Sequence, residues 1–112
     1  MTRAIKAFDL SEGVPRISAF LRKGVRVRAL QMNHHRVYVD YEKTDPKSCA
    51  TKVCYIVDGN TTSVPAEVNK ILSREDVRNL HWAVSLNIEK ASTWYAITWE
   101  EADSTDSILD SE

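Results

Sequence analysis

Basic residues between positions 22 and 36 have the spacing of a phosphate-binding strand. Arg26 and Arg28 alternate with apolar residues, so both guanidinium groups point to one face of a strand. A guanidinium group binds phosphate through two parallel hydrogen bonds, and such a strand matches a nucleotide or a nucleic-acid backbone. Tyr38 shares the parity of Arg36 on the following strand and could stack on a base. The candidate residues of this phosphate site are Lys23, Arg26, Arg28, Arg36 and Tyr38.

Trp94 suggests a different class of site, a surface that binds another protein. It lies on the face of its strand opposite Tyr95 and Ile97, and a large exposed aromatic residue is typical of interface hot spots. The alternative is a second layer, such as a helix, that covers this face. A small ligand could also be bound by the hydroxyl and amide groups of a polar loop formed by Asn60, Thr61 and Thr62.

The sequence predicts no metal site, no cofactor and no enzymatic activity. His34 and His35 are adjacent, so on a strand their side chains point to opposite faces and cannot easily share one tetrahedral zinc ion. Cys54 lies inside an apolar strand, where a free cysteine behaves as a small hydrophobic residue. No spacing of acids, histidines or cysteines indicates a catalytic pair.

Length and charge narrow the alternatives further. A chain of 112 residues fits one domain, predicted over residues 1–100 with an acidic tail over 101–112. Residues 1–52 carry a net charge of +6 and residues 53–112 a net charge of −7. This asymmetry fits a polyanionic partner, a self-complementary surface that forms a homo-oligomer, an acidic tail, or pairing of the two halves within one fold. No apolar run is long enough to span a membrane, so we expect a cytoplasmic protein without a membrane partner.

Alternating apolar residues predict two hairpins. The first joins strands 25–29 and 36–42, and because Leu30 and Met32 have the parity of the arginines, it needs either a bulge or a strand with two apolar faces there. The second joins strands 80–86 and 93–99, whose alternation buries Trp82 and Trp99.

The other segments have less regular patterns. Residues 52–57 are apolar on both faces, which predicts a central strand, and a short helix is expected near 65–72. Residues 14–24 fit either a helix that ends at Gly24 or a strand, and the acidic tail is expected to be disordered. The fold class is therefore α+β, mainly antiparallel β with about five or six strands.

The order of these segments resembles small bacteriophage-encoded β-proteins of uncharacterised function. The similarity covers residues 14–100: Gly24 leads into Val25-Arg26-Val27 and a Gln-Met-Asn turn, and Tyr55-Ile56-Val57-Asp58-Gly59-Asn60 runs to Val64-Pro65 before a closing hairpin. This chain departs from the shortest such proteins by a helical insertion between Val64 and Asn79. The resemblance implies a viral accessory protein, acting in the host cytoplasm, that binds or inhibits a host protein or binds a small ligand. We therefore expect a non-enzymatic binding module, with nucleotide or nucleic-acid binding as the alternative.

Overall fold

The computed structural model describes residues 2–33, 35–45, 51–60, 62–87 and 92–101. Within these ranges the chain forms, in order, β1 (Arg3–Asp9), α1 (Gly13–Leu21), β2 (Val25–Asn33), β3 (Arg36–Lys43), β4 (Thr51–Asn60), α2 (Ala66–Leu72), β5 (Val77–Asn87) and β6 (Ser92–Glu101). A 3-10 turn, Leu10–Glu12, joins β1 to α1. None of the helices in this part of the chain is long and apolar enough to cross a bilayer.

The strands form two antiparallel three-stranded sheets. Sheet A has the order β1-β3-β2 and sheet B the order β4-β6-β5. The predicted mainly antiparallel β fold with five or six strands is therefore confirmed. The predicted fold class contained one helix, near 65–72, whereas the described residues contain two, α1 and α2.

Both predicted hairpins are present, and of the two alternatives for the first, the bulge is the one observed. In β2, Val27 lies opposite Tyr41 and Ala29 opposite Asp40, so Arg28 is the extra residue. This shift brings Leu30 onto the buried face beside Val27, as the parity argument required. The strands continue further than predicted, since residues 31–33 belong to β2 rather than to the loop.

The N-terminal segment that fitted either a helix or a strand is helical. Ile17 and Leu21 lie one turn apart and are almost fully buried, at 0% and 1% exposure. Gly24 follows the helix with φ of +76°, a conformation that glycine adopts without steric cost. The apolar stripe and this C-terminal glycine together favour the helix over the alternative strand.

One core is shared by α1 and the facing sides of both sheets. Sheet A and α1 contribute residues such as Phe8, Ile17 and Val39, and sheet B contributes Cys54, Ala83 and Ala96. On the other face of sheet B, Val68 of α2 packs in a second cluster whose buried members are Tyr95, Ile97 and Trp99. Strands β4 and β6 of sheet B are therefore covered on both faces.

The prediction that residues 52–57 form a central strand is wrong. The strand lies at an edge of sheet B rather than in its centre. It is apolar on both faces because Cys54 and Ile56 pack into the shared core, whereas Val53, Tyr55 and Val57 pack into the cluster under α2. Gly59 lies where β4 passes under the start of α2, and a Cβ atom there would be 2.7 Å from Pro65 Cγ.

The prediction that Trp82 is a core residue is wrong, although Trp99 is buried as predicted. Trp82, Val84 and Leu86 lie on the α2 side of sheet B and are 51%, 45% and 53% exposed. The alternation correctly predicts that these three side chains share one face of the sheet. That face is not buried here, because α2 packs over β4 and β6 and leaves this part of β5 uncovered. We call these three residues the β5 stripe.

A partly buried polar cluster joins the two sheets. Asn79, with φ of +49°, donates from Nδ2 to the Val27 carbonyl oxygen at 3.1 Å and to Glu100 Oε2 at 2.8 Å. Glu100 is 7% exposed and also lies 3.8 Å from Lys52 Nζ. His81 Nε2 is 3.0 Å from Asn79 Oδ1, and burial lowers the pKa of this histidine. The bulges in β2 and β5 meet at this cluster, which therefore fixes the relative position of the sheets.

Candidate anion-binding site

A cavity of about 560 Å³ opens between α1 and the inner face of sheet A. Its walls are cationic and aromatic, with two small apolar residues between them. The cationic residues are Lys6, Arg16, Lys23 and Lys43, the aromatic residues are Phe8, Phe20 and Tyr41, and the remaining two are Ala19 and Val25. We call this site the basic cavity.

Strand parity and helix periodicity place these side chains together. Lys6 and Phe8 are two residues apart on β1, and Tyr41 and Lys43 are two residues apart on β3, so each pair shares one face of sheet A. In α1, Arg16 and Phe20 are four residues apart and lie on one face of the helix. The antiparallel pairing of β1 with β3 then brings the two strand pairs side by side beneath α1.

The aromatic rings form a packed floor under one lysine. The rings of Phe8 and Phe20 have centroids 5.4 Å apart, and those of Phe20 and Tyr41 have centroids 4.9 Å apart in an edge-to-face arrangement. Lys6 Nζ lies 5.6 Å from the centroid of Phe8 and 5.7 Å from that of Phe20. These cation–π contacts hold the Lys6 ammonium group over the floor of the cavity.

The positive charge of the basic cavity is largely unneutralised. Arg16 forms only a solvent-exposed pair with Glu12, at 3.7 Å. Among the described residues, no carboxylate oxygen lies within 4.0 Å of the ammonium groups of Lys6, Lys23 or Lys43. Like charges gathered in one concave surface create a positive potential, which attracts an anion.

The structure does not bring the predicted phosphate-binding set together. Lys23 lies in the basic cavity, but Arg26 and Arg28 lie outside it, and each has a carboxylate neighbour. Arg26 Nε is 3.5 Å from Glu100 Oε2, and Arg28 Nη1 is 3.6 Å from Glu42 Oε1. These carboxylates offset part of the positive charge that a phosphate would need.

Arg36 and Tyr38 also lie outside the lining of the basic cavity. Arg36 pairs with Asn33 at one end of the β2–β3 hairpin, whereas Arg26 pairs with Glu42 near the other end. Six strand residues separate these positions, a distance of roughly 20 Å. Tyr38 is half-buried and alternates with Val37 and Val39, so it lies on the opposite face of sheet A from the cavity.

Trp94 and the polar loop have partly internal roles. Trp94 is half-buried in β6, so it is not the open aromatic anchor that the protein-binding prediction required. Asn60 Oδ1 accepts hydrogen bonds from the backbone N–H groups of Thr62 and Ser63, at 3.0 and 2.9 Å, and thereby closes a turn. Thr61 lies outside the described residues.

The histidine and cysteine predictions are only partly within the described chain. His35 is exposed in the turn between β2 and β3, as predicted for a polar hairpin loop, while His34 and Cys49 fall outside the described residues. Cys54 is 6% exposed, and burial raises the pKa of its thiol to about 12. It therefore packs as a small apolar residue, as predicted.

Six of the seven cationic and aromatic residues of the basic cavity were missed by the sequence reasoning. The local signals were present in the spacings of Lys6 and Phe8, of Tyr41 and Lys43, and of Arg16 and Phe20. They identify a site only once β1 is known to pair with β3, which the sequence did not predict.

No family model, curated protein or solved structure matches this chain. The resemblance to bacteriophage β-proteins therefore stays a prediction, and the function is argued from the geometry of the site.

Proposed function

We propose that this protein is a non-enzymatic binding module for a phosphate-bearing ligand of nucleotide size. The observation that carries the proposal is the convergence of three lysines and one arginine on the basic cavity; among the described residues, the lysines have no carboxylate within 4.0 Å and the lining contains no acidic residue. Gathering these like charges is unfavourable, and a bound anion would offset their repulsion. Lysine ammonium groups and the Arg16 guanidinium group are both common phosphate ligands.

The dimensions and aromatic content of the basic cavity favour a nucleotide over a simple ion. Sites for small molecules usually enclose about 300–1,000 Å³, so a cavity of about 560 Å³ can hold a base and a sugar with its phosphates. Phe20 and Tyr41 are only half-buried and offer apolar surface on which a base can pack. Lys6 lies above the same floor and would meet a phosphate oxygen.

The chemistry of the lining supports binding rather than catalysis. Among the described residues that line the basic cavity there is no carboxylate, imidazole or thiol. The polar side chains that line it are instead mainly cationic hydrogen-bond donors, which suit the binding of an anion.

A host-protein partner remains the second candidate, and the β5 stripe supports it better than Trp94 does. Trp82, Val84 and Leu86 form a contiguous apolar row that is about half exposed. An exposed tryptophan on such a surface is typical of protein interfaces. The stripe lies on sheet B and the basic cavity on sheet A, so separate variants can test the two sites.

Calorimetric titration with ATP tests the proposed function. We expect saturable binding with one site per chain and no measurable binding of adenosine, which has the same base and sugar but no phosphate. Raising the ionic strength from about 0.01 M to about 0.1 M shortens the Debye length from about 30 Å to about 10 Å and should weaken ATP binding severalfold. Equal affinity for adenosine and ATP, or no binding of ATP at low ionic strength, would refute the proposal.

A further inference from the structure

Strand β1 leaves one edge of sheet A open. It pairs with β3 on one side, and none of the described residues pairs with it on the other. All of its residues except Phe8 are exposed. An open strand edge is a template for pairing with another strand.

The hydrogen bonds at the two ends of β1 show which backbone groups face this edge. The N–H of Lys43 donates to the Thr2 carbonyl oxygen, and the N–H of Leu10 donates to the His35 carbonyl oxygen. Backbone groups alternate in direction along an antiparallel strand, so the even-numbered residues of β1 bond to β3. The N–H and C=O groups of the odd-numbered residues therefore point outward, and these residues are Arg3, Ile5, Ala7 and Asp9.

A second copy of β1 fits this edge in one charge-complementary register. When two copies run antiparallel about a twofold axis at Lys6, Arg3 lies opposite Asp9 of the second copy, and Ile5 lies opposite Ala7 of the second copy. The outward backbone groups of Ile5 and Ala7 and the Arg3 N–H then pair with the second copy, while the Asp9 N–H already donates to Glu12 Oε2 at 3.2 Å. Each dimer gains two Arg–Asp pairs on its outer face, where Asp9 has only one carboxylate oxygen, Oδ1, bonded to Ser11.

The Arg3 side chain is held against β3 and keeps donors for a second contact. It forms two hydrogen bonds to Asp40 of the neighbouring strand, at 3.0 and 2.8 Å, and these raise the pKa of Arg3. A guanidinium group has five N–H donors, so Arg3 can bind Asp40 and still donate to a second carboxylate. Ile5 is 66% exposed, and the same register would cover it with the second copy.

Lys6 opposes this pairing when the basic cavity is empty. In the proposed register the two Lys6 residues lie directly opposite each other, and like charges in this position destabilise a strand pair. Charged residues that point inward from an edge strand commonly prevent such pairing. A phosphate held in the basic cavity would neutralise the ammonium group that blocks the edge.

We infer that a phosphate-bearing ligand in the basic cavity promotes dimerisation, through antiparallel pairing of β1 with β1 of a second copy of this chain. The inference rests on the proposed function for its ligand and on the charges and backbone directions of β1 for its partner. In this inference, a ligand that binds in the basic cavity changes how readily β1 pairs with a second copy.

Sedimentation velocity with and without tripolyphosphate tests the coupling. We expect the dimer dissociation constant to fall at least about tenfold when the anion is present, equivalent to about 1.4 kcal/mol. Ile5→Lys should abolish the dimer, because it adds a charge at the centre of the edge. Leu86→Lys adds the same charge to the β5 stripe at similar exposure and should leave the dimer intact. The opposite pattern for these two variants would place the interface on the stripe and overturn the inference.

Cysteine cross-linking tests the register. In a Cys49→Ser background, Lys6→Cys removes the repulsive charge and places two thiols opposite each other, at a Cα separation of about 4.5 Å, which a disulfide can span. Ala4→Cys lies opposite Phe8 of the second copy, so its two thiols would be offset along the strands by about 13 Å. We expect Lys6→Cys to form a covalent dimer under oxidising conditions without ligand, and Ala4→Cys to stay monomeric.

The two proposals fail in different ways. If calorimetry detects tripolyphosphate binding but the chain stays monomeric and Lys6→Cys cross-links no faster than Ala4→Cys, the dimerisation inference is wrong and the anion site stands. If neither ATP nor tripolyphosphate binds, the proposed function is wrong and the coupling is wrong with it.

Discussion

Replacing Glu100 with alanine is expected to lower the free energy of unfolding by about 3–5 kcal/mol, the usual cost of removing one partner from a buried ion pair. Glu100 is 7% exposed, and its neighbour Lys52 has a side chain that is 10% exposed. The substitution would leave the Lys52 ammonium group in a site with little water and without the Glu100 carboxylate. It would also remove the acceptor of the Asn79 amide, 2.8 Å away, at the point where the two sheets meet.

Urea unfolding followed by circular dichroism measures this loss. Arg16→Ala is the matched control, because it removes an ion pair of similar length, 3.7 Å against 3.8 Å, whose side chains are exposed. An exposed i,i+4 pair on a helix contributes about 0.2–0.5 kcal/mol. A loss below about 1 kcal/mol for Glu100→Ala would show that the polar cluster does not hold the two sheets together.

Reversing two charges of the basic cavity, with Lys6→Glu and Lys43→Glu combined, is expected to weaken ATP binding at least about 100-fold. A hydrogen bond to a charged group contributes about 1.5–3 kcal/mol, and each 1.4 kcal/mol changes an equilibrium constant tenfold. Both lysines are exposed, so the double variant should keep its fold and can be compared directly with the wild-type chain by calorimetry.

The matched control removes two other cations. Arg26→Ala combined with Arg28→Ala should change ATP affinity by no more than about twofold, because both arginines lie outside the cavity and have carboxylate neighbours. A larger loss from the arginine pair than from the lysine pair would contradict the basic cavity. It would support instead the phosphate-binding strand that the sequence alone suggested.

The hairpins could be predicted from the sequence because their signals are local. Alternation over 25–29, 36–42 and 93–99 indicates the buried face of β2, β3 and β6, and the parity of Leu30 calls for a bulge or a two-sided strand, of which the bulge at Arg28 is present. In β5 the alternating apolar face is correctly identified, but it is half exposed. Helix α2 was found for the same reason, from Pro65 and the spacing of the apolar residues after it.

Elements that depend on distant contacts were missed or left undecided. Strand β1 has only one buried residue, Phe8, because it lies at a sheet edge, so its alternation is weak. Helix α1 was undecided, since its apolar residues also fit a strand, and the shared core settles the choice by burying Ile17 and Leu21.

The candidate site was harder to predict than the fold, because its residues come from three distant parts of the chain. Lys23 was the only residue of the predicted phosphate-binding set that lies in the basic cavity. Arginines at β2 gave the stronger local pattern, but a carboxylate from β3 or β6 lies beside each of them. The partners that neutralise a charge are set by strand pairing, which a local pattern does not contain.

The most direct test of the anion site is a titration of the isotope-labelled chain with ATP, followed by two-dimensional NMR of the backbone amides. The account predicts that the largest chemical-shift changes cluster around the cavity, at Lys6, Phe20, Lys23, Tyr41 and Lys43. Changes centred on Arg26, Arg28 and Arg36, or confined to the β5 stripe, would contradict it.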